Sequence, residues 1–395
     1  MDPSIPCPLD PAILQCWPVN ILLIRLRVVG DVVFTTPAIR AVRRALPDAR
    51  LTYLVEPAAS AVVAHNPHLD EVLLRAAPSG PARVLADWQL AAELRRRRFD
   101  VVADFHGGPR ASWLTLASRA PRRIGYSVTG RSWMYTDIVA RPRELRPRHS
   151  VENQWDLLRP LLPGIEPPDP ARDPVEMPED PEAARRIAIW LDRQGIGSVH
   201  VPIVIHVSAG NPFRRWPLES FAELAAHLSS SDTERRIILT SGPSEASAAE
   251  EVVGRALRLA PAQGEAIVTC GGSTLAELRS LIGRAALFVG GDSGPLHIAA
   301  ATSVPIVALY GPTLPARSAP WRDPAFVTEA VEIDDLPCRP CEQRTCAPGD
   351  FRCLTRISAM RVVEAAERAL ARARASALTS PAASPMTSSV ARPDR

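Results

Sequence analysis

From residue 20 onward, short apolar runs rich in β-branched residues alternate with longer stretches whose apolar positions recur at helical spacing. That alternation is the mark of parallel βα units. Residues 21–26 predict a first strand ending near Gly30-Asp31, followed by a helical pattern to Leu46 with Pro37 in its opening turns. Residues 51–55 predict a second strand. A helix over 84–98 precedes a strand at 100–105 and the turn His106-Gly107-Gly108. A short strand around Ile124 and a helix over 150–162 complete the first half. Prolines at 163, 167, 168, 170, 174, 178 and 181 then follow, a density at which neither helix nor central strand forms, so residues 163–181 read as an interdomain linker.

Beyond the linker the alternation restarts, with strands predicted at 202–207, 236–240, 266–268, 286–289 and 305–310 and helices after Pro217, Ser244, Ser273 and Gly294. The expected fold is α/β, with Rossmann-like domains at 20–162 and 182–330 facing a cleft. In such open sheets ligands lie beyond the carboxyl ends of the strands, so residues just after each strand become the candidates for chemistry. Residues 1–19 read as an N-terminal extension, 331–356 as a cysteine-bearing segment, 357–375 as a final helix and 376–395 as a disordered Ser/Pro/Ala tail.

Composition narrows the chemistry. The 395 residues include 46 Lys+Arg, and every one of them is Arg. Without lysine there is no Schiff-base lysine, no phosphate loop ending in Gly-Lys-Ser/Thr and no kinase-type lysine, so anions must be held by Arg, backbone N–H groups or a helix start. A net charge of +3 gives no electrostatic reason to expect nucleic acid. The first eighteen residues carry Asp2, Asp10 and five prolines rather than a signal-peptide pattern, and no run reaches the roughly 18 apolar residues of a membrane span. A cytoplasmic location is expected, with contact at a membrane surface left open.

Cys338, Cys341, Cys346 and Cys353 form a C-x2-C-x4-C-x6-C cluster. In a reducing compartment the favoured reading is a structural zinc or iron held by four sulfurs, a closed site with no open position for catalysis. Paired disulfides and free thiols are the competing readings.

Three strand ends carry candidate binding chemistry. In the segment 288–301, Gly290 and Gly291 would let a ligand approach the backbone, and N–H groups from Ser293 to Leu296 would meet an anion. The alternative is a capped strand-to-helix turn with Asp292 or Ser293 as N-cap. In the segment 205–217, Arg214 and Arg215 could clamp a diphosphate with their guanidinium forks, or form a solvated turn anchored by Trp216. Asp31 could be a general base, or an N-cap. Glu245 could bind a ribose hydroxyl, or favour a helix dipole.

Taken in order, Ile21-Leu-Leu-Ile-Arg25, Gly30-Asp31, Pro37-Ala38, the loop 208–217, Gly242 with Glu245, Gly291-Asp-Ser-Gly-Pro-Leu-His297 and Tyr310-Gly-Pro-Thr313 resemble the heptosyltransferases of lipopolysaccharide assembly, glycosyltransferase family 9, over roughly residues 20–320. The resemblance implies a GT-B fold with the acceptor on the first lobe and the nucleotide-sugar on the second. It implies Asp31 as catalytic base, Arg214 at the position of the family's phosphate-binding lysine, and Glu245 on the nucleoside. Asp292, Ser293, Gly294 and His297 would line the sugar and diphosphate pocket, with Ser208 and Arg215 in the same nucleotide-sugar site. It further implies an ADP-heptose donor, a lipid-anchored core oligosaccharide acceptor at the inner membrane, inversion by direct displacement and no catalytic cofactor. The alternatives are the same fold with another nucleotide-sugar or a protein acceptor, and a non-catalytic nucleotide-sugar binding protein.

Overall fold

The computed structural model describes residues 19–379 except 76–77, 79, 81, 142–147 and 342. The expected N-terminal extension, apart from Val19, and residues 380–395 of the expected tail lie outside the described residues. Two six-stranded parallel sheets form the framework. The first holds β1 (Asn20–Ile24), β2 (Arg50–Val55), β3 (Glu71–Leu74), β4 (Val101–Asp104), β5 (Arg122–Tyr126) and β6 (Asp137–Val139), in the order β3-β2-β1-β4-β5-β6. The second holds β7 (Val201–His206), β8 (Arg235–Thr240), β9 (Ile267–Thr269), β10 (Leu287–Gly291), β11 (Ile306–Tyr310) and β12 (Thr328–Glu332), in the order β12-β11-β10-β7-β8-β9.

Central strands read as continuous apolar runs because helices cover both sheet faces: Ile21 to Ile24 of β1 are fully buried, as are Leu287, Phe288 and Val289 of β10. The strands missed by hydrophobic pattern are β3, β6 and β12, all at sheet edges. There one side meets solvent, and Glu71, Asp137 and Glu329 interrupt the run. In each sheet the chain order reverses between two neighbouring strands, β1 with β4 and β7 with β10. Such switch points open a crevice at the strands' carboxyl ends.

The proline-rich segment has no helix or strand before the helix Pro181–Arg193, which Asp180 caps by accepting from the Glu182 and Ala183 N–H groups at 2.8 and 3.0 Å. It is not a loose tether. Val175 and Met177 are buried, and its backbone is held from both lobes: Arg40 Nη1 donates to Pro174 O (3.1 Å), Trp321 Nε1 to Asp173 O (2.9 Å) and Arg279 Nε to Met177 O (2.9 Å). The final helix runs Ala359–Thr379, so residues 376–379, expected in the tail, continue it. Val362, Ala365, Ala366, Ala369 and Leu370 recur at helical spacing and are buried against the second sheet's core.

The lobes touch where the short helix Val29–Val33 meets the helix Gly294–Ala300. A methyl group at Gly30 would lie 2.5 Å from His297 Cδ2, and one at Gly294 would lie 3.1 Å from Val29 Cβ. A side chain at Gly30 would force His297 aside, and one at Gly294 would press on Val29. Phe34 completes the contact, its ring centroid 4.3 Å from that of His297.

Candidate active site

A cavity of about 880 Å³ lies between the lobes, walled by Val29 to Asp31 from the first and by Ser208, Arg214, Glu245, Asp292 to Pro295, His297 and Thr313 from the second. The expected site residues Asp31, Ser208, Arg214, Glu245, Asp292, Ser293, Gly294 and His297 are therefore brought together. Arg215 is not on this wall.

Asp31 sits inside the helix Val29–Val33, whose N-cap position belongs to Val28, so it is no N-cap. Its carboxylate pairs with the Arg25 guanidinium, which also donates to the Phe105 carbonyl. Arg25 closes β1 and Phe105 follows β4, so the switch point itself holds the acid in place. The Asp31 side chain keeps 35% of its surface exposed, enough to meet a ligand.

On the second lobe, Ser208 Oγ accepts from Gly242 N–H (2.7 Å) and lies 3.0 Å from His206 Nε2, which ties the loops after β7 and β8 together. His206 Nδ1 is 3.0 Å from Thr240 Oγ1, and burial pushes this imidazole down to about 4, so it is neutral at pH 7. The two arginines divide. Arg214 faces the cavity, its Nη1 donating to Asp292 O (3.0 Å) and lying 3.2 Å from Asp292 Oδ2. Arg215 sits behind Glu245, with Nη2 2.5 Å from Glu245 Oε1 and Nε donating to Ala209 O (2.9 Å).

Asp292 is 2% exposed, and Oδ2 accepts from Thr313 Oγ1 at 2.5 Å. Burial alone would raise its carboxyl, but His297, Arg214 and Thr313 outweigh it and hold it at about 2, fully ionised at pH 7. Three buried polar atoms at this wall lack partners: Asp292 Oδ1, Ser293 Oγ and His297 Nδ1. Of these, Asp292 Oδ1 lies 3.6 Å from His297 Nε2, so the two side chains are paired electrostatically at the wall. Ser293 holds the N-cap position of its helix without a side-chain cap bond, so neither it nor Asp292 serves as the expected cap.

One expectation is corrected. Gly290 and Gly291 do not clear a path for a ligand: a Cβ at Gly290 would meet the Phe288 ring at 3.0 Å, and one at Gly291 the Arg214 carbonyl at 3.3 Å, so both serve packing. The cysteine cluster gains no support as a zinc or iron site. Among the described residues no three His, Cys, Asp or Glu side chains are placed to hold a metal, and Cys338, Cys341, Cys346 and Cys353 are free thiols. Cys353 is buried in the second lobe's apolar core, which pushes its thiol up, and the neighbouring Cys338, Cys341 and Cys346 push the same way; those three lie half-buried in the preceding loop.

A family model for glycosyltransferase family 9 (heptosyltransferase) matches residues 88–350. The chain belongs to glycosyltransferase family 9. A lipopolysaccharide heptosyltransferase 3 of Escherichia coli is 26% identical over 318 residues, 78% of this chain and 88% of that one. Among solved structures, a family 9 glycosyl transferase of Veillonella parvula superposes with a TM-score of 0.77 at 23% identity, covering 89% of this chain and 97% of the other. E. coli ADP-heptose lps heptosyltransferase II does so with 0.71 at 20% identity, over 90% and 100%. The fold is therefore GT-B, and the protein is a glycosyltransferase of this family.

Sequence reading missed three contributors to this family 9 site. Arg25 and Thr313 were visible within matched motifs, yet nothing local marks them as partners of Asp31 and Asp292. Gln343, on the cavity wall, lies in an irregular loop with no pattern to flag it. Among the described residues no helix is long and apolar enough to cross a membrane.

Proposed function

We propose that this family 9 enzyme transfers heptose from ADP-heptose to the inner core of lipopolysaccharide, inverting the anomeric carbon. The observation that carries the reading is the cavity between the lobes, which Asp31 lines from one side and Arg214, Glu245, Asp292, Ser293 and His297 from the other. The names of the similar heptosyltransferases supply the donor and acceptor.

In this reading Asp31 takes the proton of an acceptor hydroxyl as that oxygen attacks the anomeric carbon. The bond from that carbon to the diphosphate breaks, and ADP departs with the electron pair. One carboxylate suffices, because a single displacement forms no glycosyl-enzyme. Arg25 keeps the base oriented. Arg214, with backbone N–H groups around Ser293 and Gly294, meets the negative charge gathering on ADP. Glu245, braced by Arg215, accepts from ribose hydroxyls, while Asp292, His297 and Ser208 complete the donor pocket. No metal or cofactor takes part.

Arg214→Ala is expected to weaken ADP binding about 10- to 100-fold, the usual worth of a charge-assisted phosphate contact, read by calorimetric titration. Unchanged affinity would leave the 208–217 loop a purely structural turn.

A lipid-anchored acceptor requires the enzyme to work at the cytoplasmic face of the inner membrane. Support comes from the helix Ala82–Arg96, where Val84, Leu85 and Trp88 are 60%, 62% and 60% exposed, Trp88 stacks edge-on against Trp113, and exposed Arg95 and Arg96 lie at the far end. Exposed tryptophan and aliphatic side chains on a helix that ends in exposed arginines suit an anionic bilayer surface. Trp88→Asp should reduce co-sedimentation with vesicles containing anionic phospholipid while ADP affinity stays put; equal sedimentation would remove this helix from the membrane contact.

A further inference from the structure

We infer that Gln343 is a donor-site residue, positioning Arg214 through its amide oxygen and offering its amide nitrogen to the diphosphate. The inference rests on the nucleotide-sugar reading above and adds a residue from outside both sheets.

Gln343 lies in the irregular stretch between β12 and the helix Arg352–Thr355, with φ of +59°, an unfavourable conformation for a residue with a side chain. The stretch is fastened to the loop after β11: Cys341 N donates to Pro312 O (3.2 Å) and Arg339 Nη2 to Thr313 O (2.8 Å). The fastening brings Gln343 onto the cavity wall beside Arg214.

The orientation of its amide follows from its neighbours. Asn211 Oδ1 accepts from Phe213 N–H (3.0 Å), so Asn211 Nδ2 must be the donor that reaches Gln343 at 2.7 Å. Arg214 Nε can only donate, and it reaches the same atom at 2.8 Å. Two donors converge on one atom, which is therefore Oε1, and both of its lone pairs are used. Nε2 is left with two N–H groups and no hydrogen-bond partner among the described residues. Polarisation by the neighbouring guanidinium strengthens these donors, and its positive charge selects an anionic oxygen as their acceptor.

Separating positioning from contact takes two substitutions. Gln343→Glu can still accept from Arg214 and Asn211, but it brings a negative charge and no donors. Gln343→Ala loses both functions without adding charge. Calorimetry with ADP and with adenosine reads the two variants against the wild-type chain. Expected are a roughly tenfold loss of ADP affinity in Gln343→Ala, a larger loss in Gln343→Glu, and unchanged adenosine affinity in both. Gln343→Glu binding ADP like wild type would overturn the direct contact, and equal losses for adenosine would overturn a diphosphate role. A wild-type chain that ignores ADP would instead bring down the donor assignment and this inference with it, whereas wild-type binding with both variants unmoved would overturn this inference alone.

Discussion

Asp31→Asn is expected to lower turnover about 10²- to 10⁴-fold, the usual contribution of a positioned general base, with ADP affinity nearly unchanged. Asparagine matches aspartate in shape, and its oxygen can still accept from Arg25, so the switch-point geometry is kept while the proton acceptor is lost. Every donor contact named above lies on the other lobe, which is why binding and turnover should separate. Steady-state kinetics with ADP-heptose and a lipid-anchored core acceptor, alongside ADP titration, make the comparison. Near-normal turnover would strip Asp31 of the base role, and a parallel collapse of ADP binding would mean that the substitution had disturbed the lobe contact.

The second large effect is on stability. His206 and His149 are each pushed down to about 4, foremost by burial, from an ordinary value of 6.5. His149 Nδ1 accepts from Val151 N–H (3.1 Å), capping the helix Ser150–Trp155, and its Nε2 reaches the Ala319 carbonyl of the other lobe at 2.9 Å. A second ring proton would oppose the cap. The unfolded chain takes up these protons near pH 6.5 and the folded chain only near 4, so between those limits the unfolded state holds more protons. Stability is therefore full above about pH 6.5 and falls as the pH is lowered toward 4. Each histidine contributes roughly 3 kcal/mol of that loss at the lower limit, together a large part of an ordinary domain's stability. Urea midpoints from pH 7.5 to 4.5 should drop steadily, and His206→Asn should flatten part of the slope, the rest belonging to His149 and to His106, which burial also pushes down to about 4. A midpoint constant over that range would show that neither histidine is buried as described.

Much of the site was legible because parallel α/β sheets place ligands beyond strand ends, and this chain writes its central strands as unbroken apolar runs. Asp31, Arg214 and Asp292 could be named as residues following β1, β7 and β10. The sharing of work between Arg214 and Arg215 could not: the two are adjacent in the chain, and only the placement of Glu245 on the wall, with Arg215 paired behind it, decides that Arg215 turns away. The glycines at 290 and 291 misled for a similar reason. A glycine-rich turn reads alike whether the space it leaves is filled by a ligand or by the Phe288 ring and a carbonyl.

The missing lysine sharpens the division. The sequence by itself determined the anion-binding side chains available, an arginine-only set, together with the two α/β halves and their order, because periodicity and composition are local properties of the chain. The tertiary structure alone decided which arginine faces the cavity and that Gln343 reaches the donor wall. Those outcomes depend on contacts between residues tens to hundreds of positions apart, Arg214 and Gln343 among them, and no local pattern encodes which distant side chain a glycine such as Gly30 must let approach.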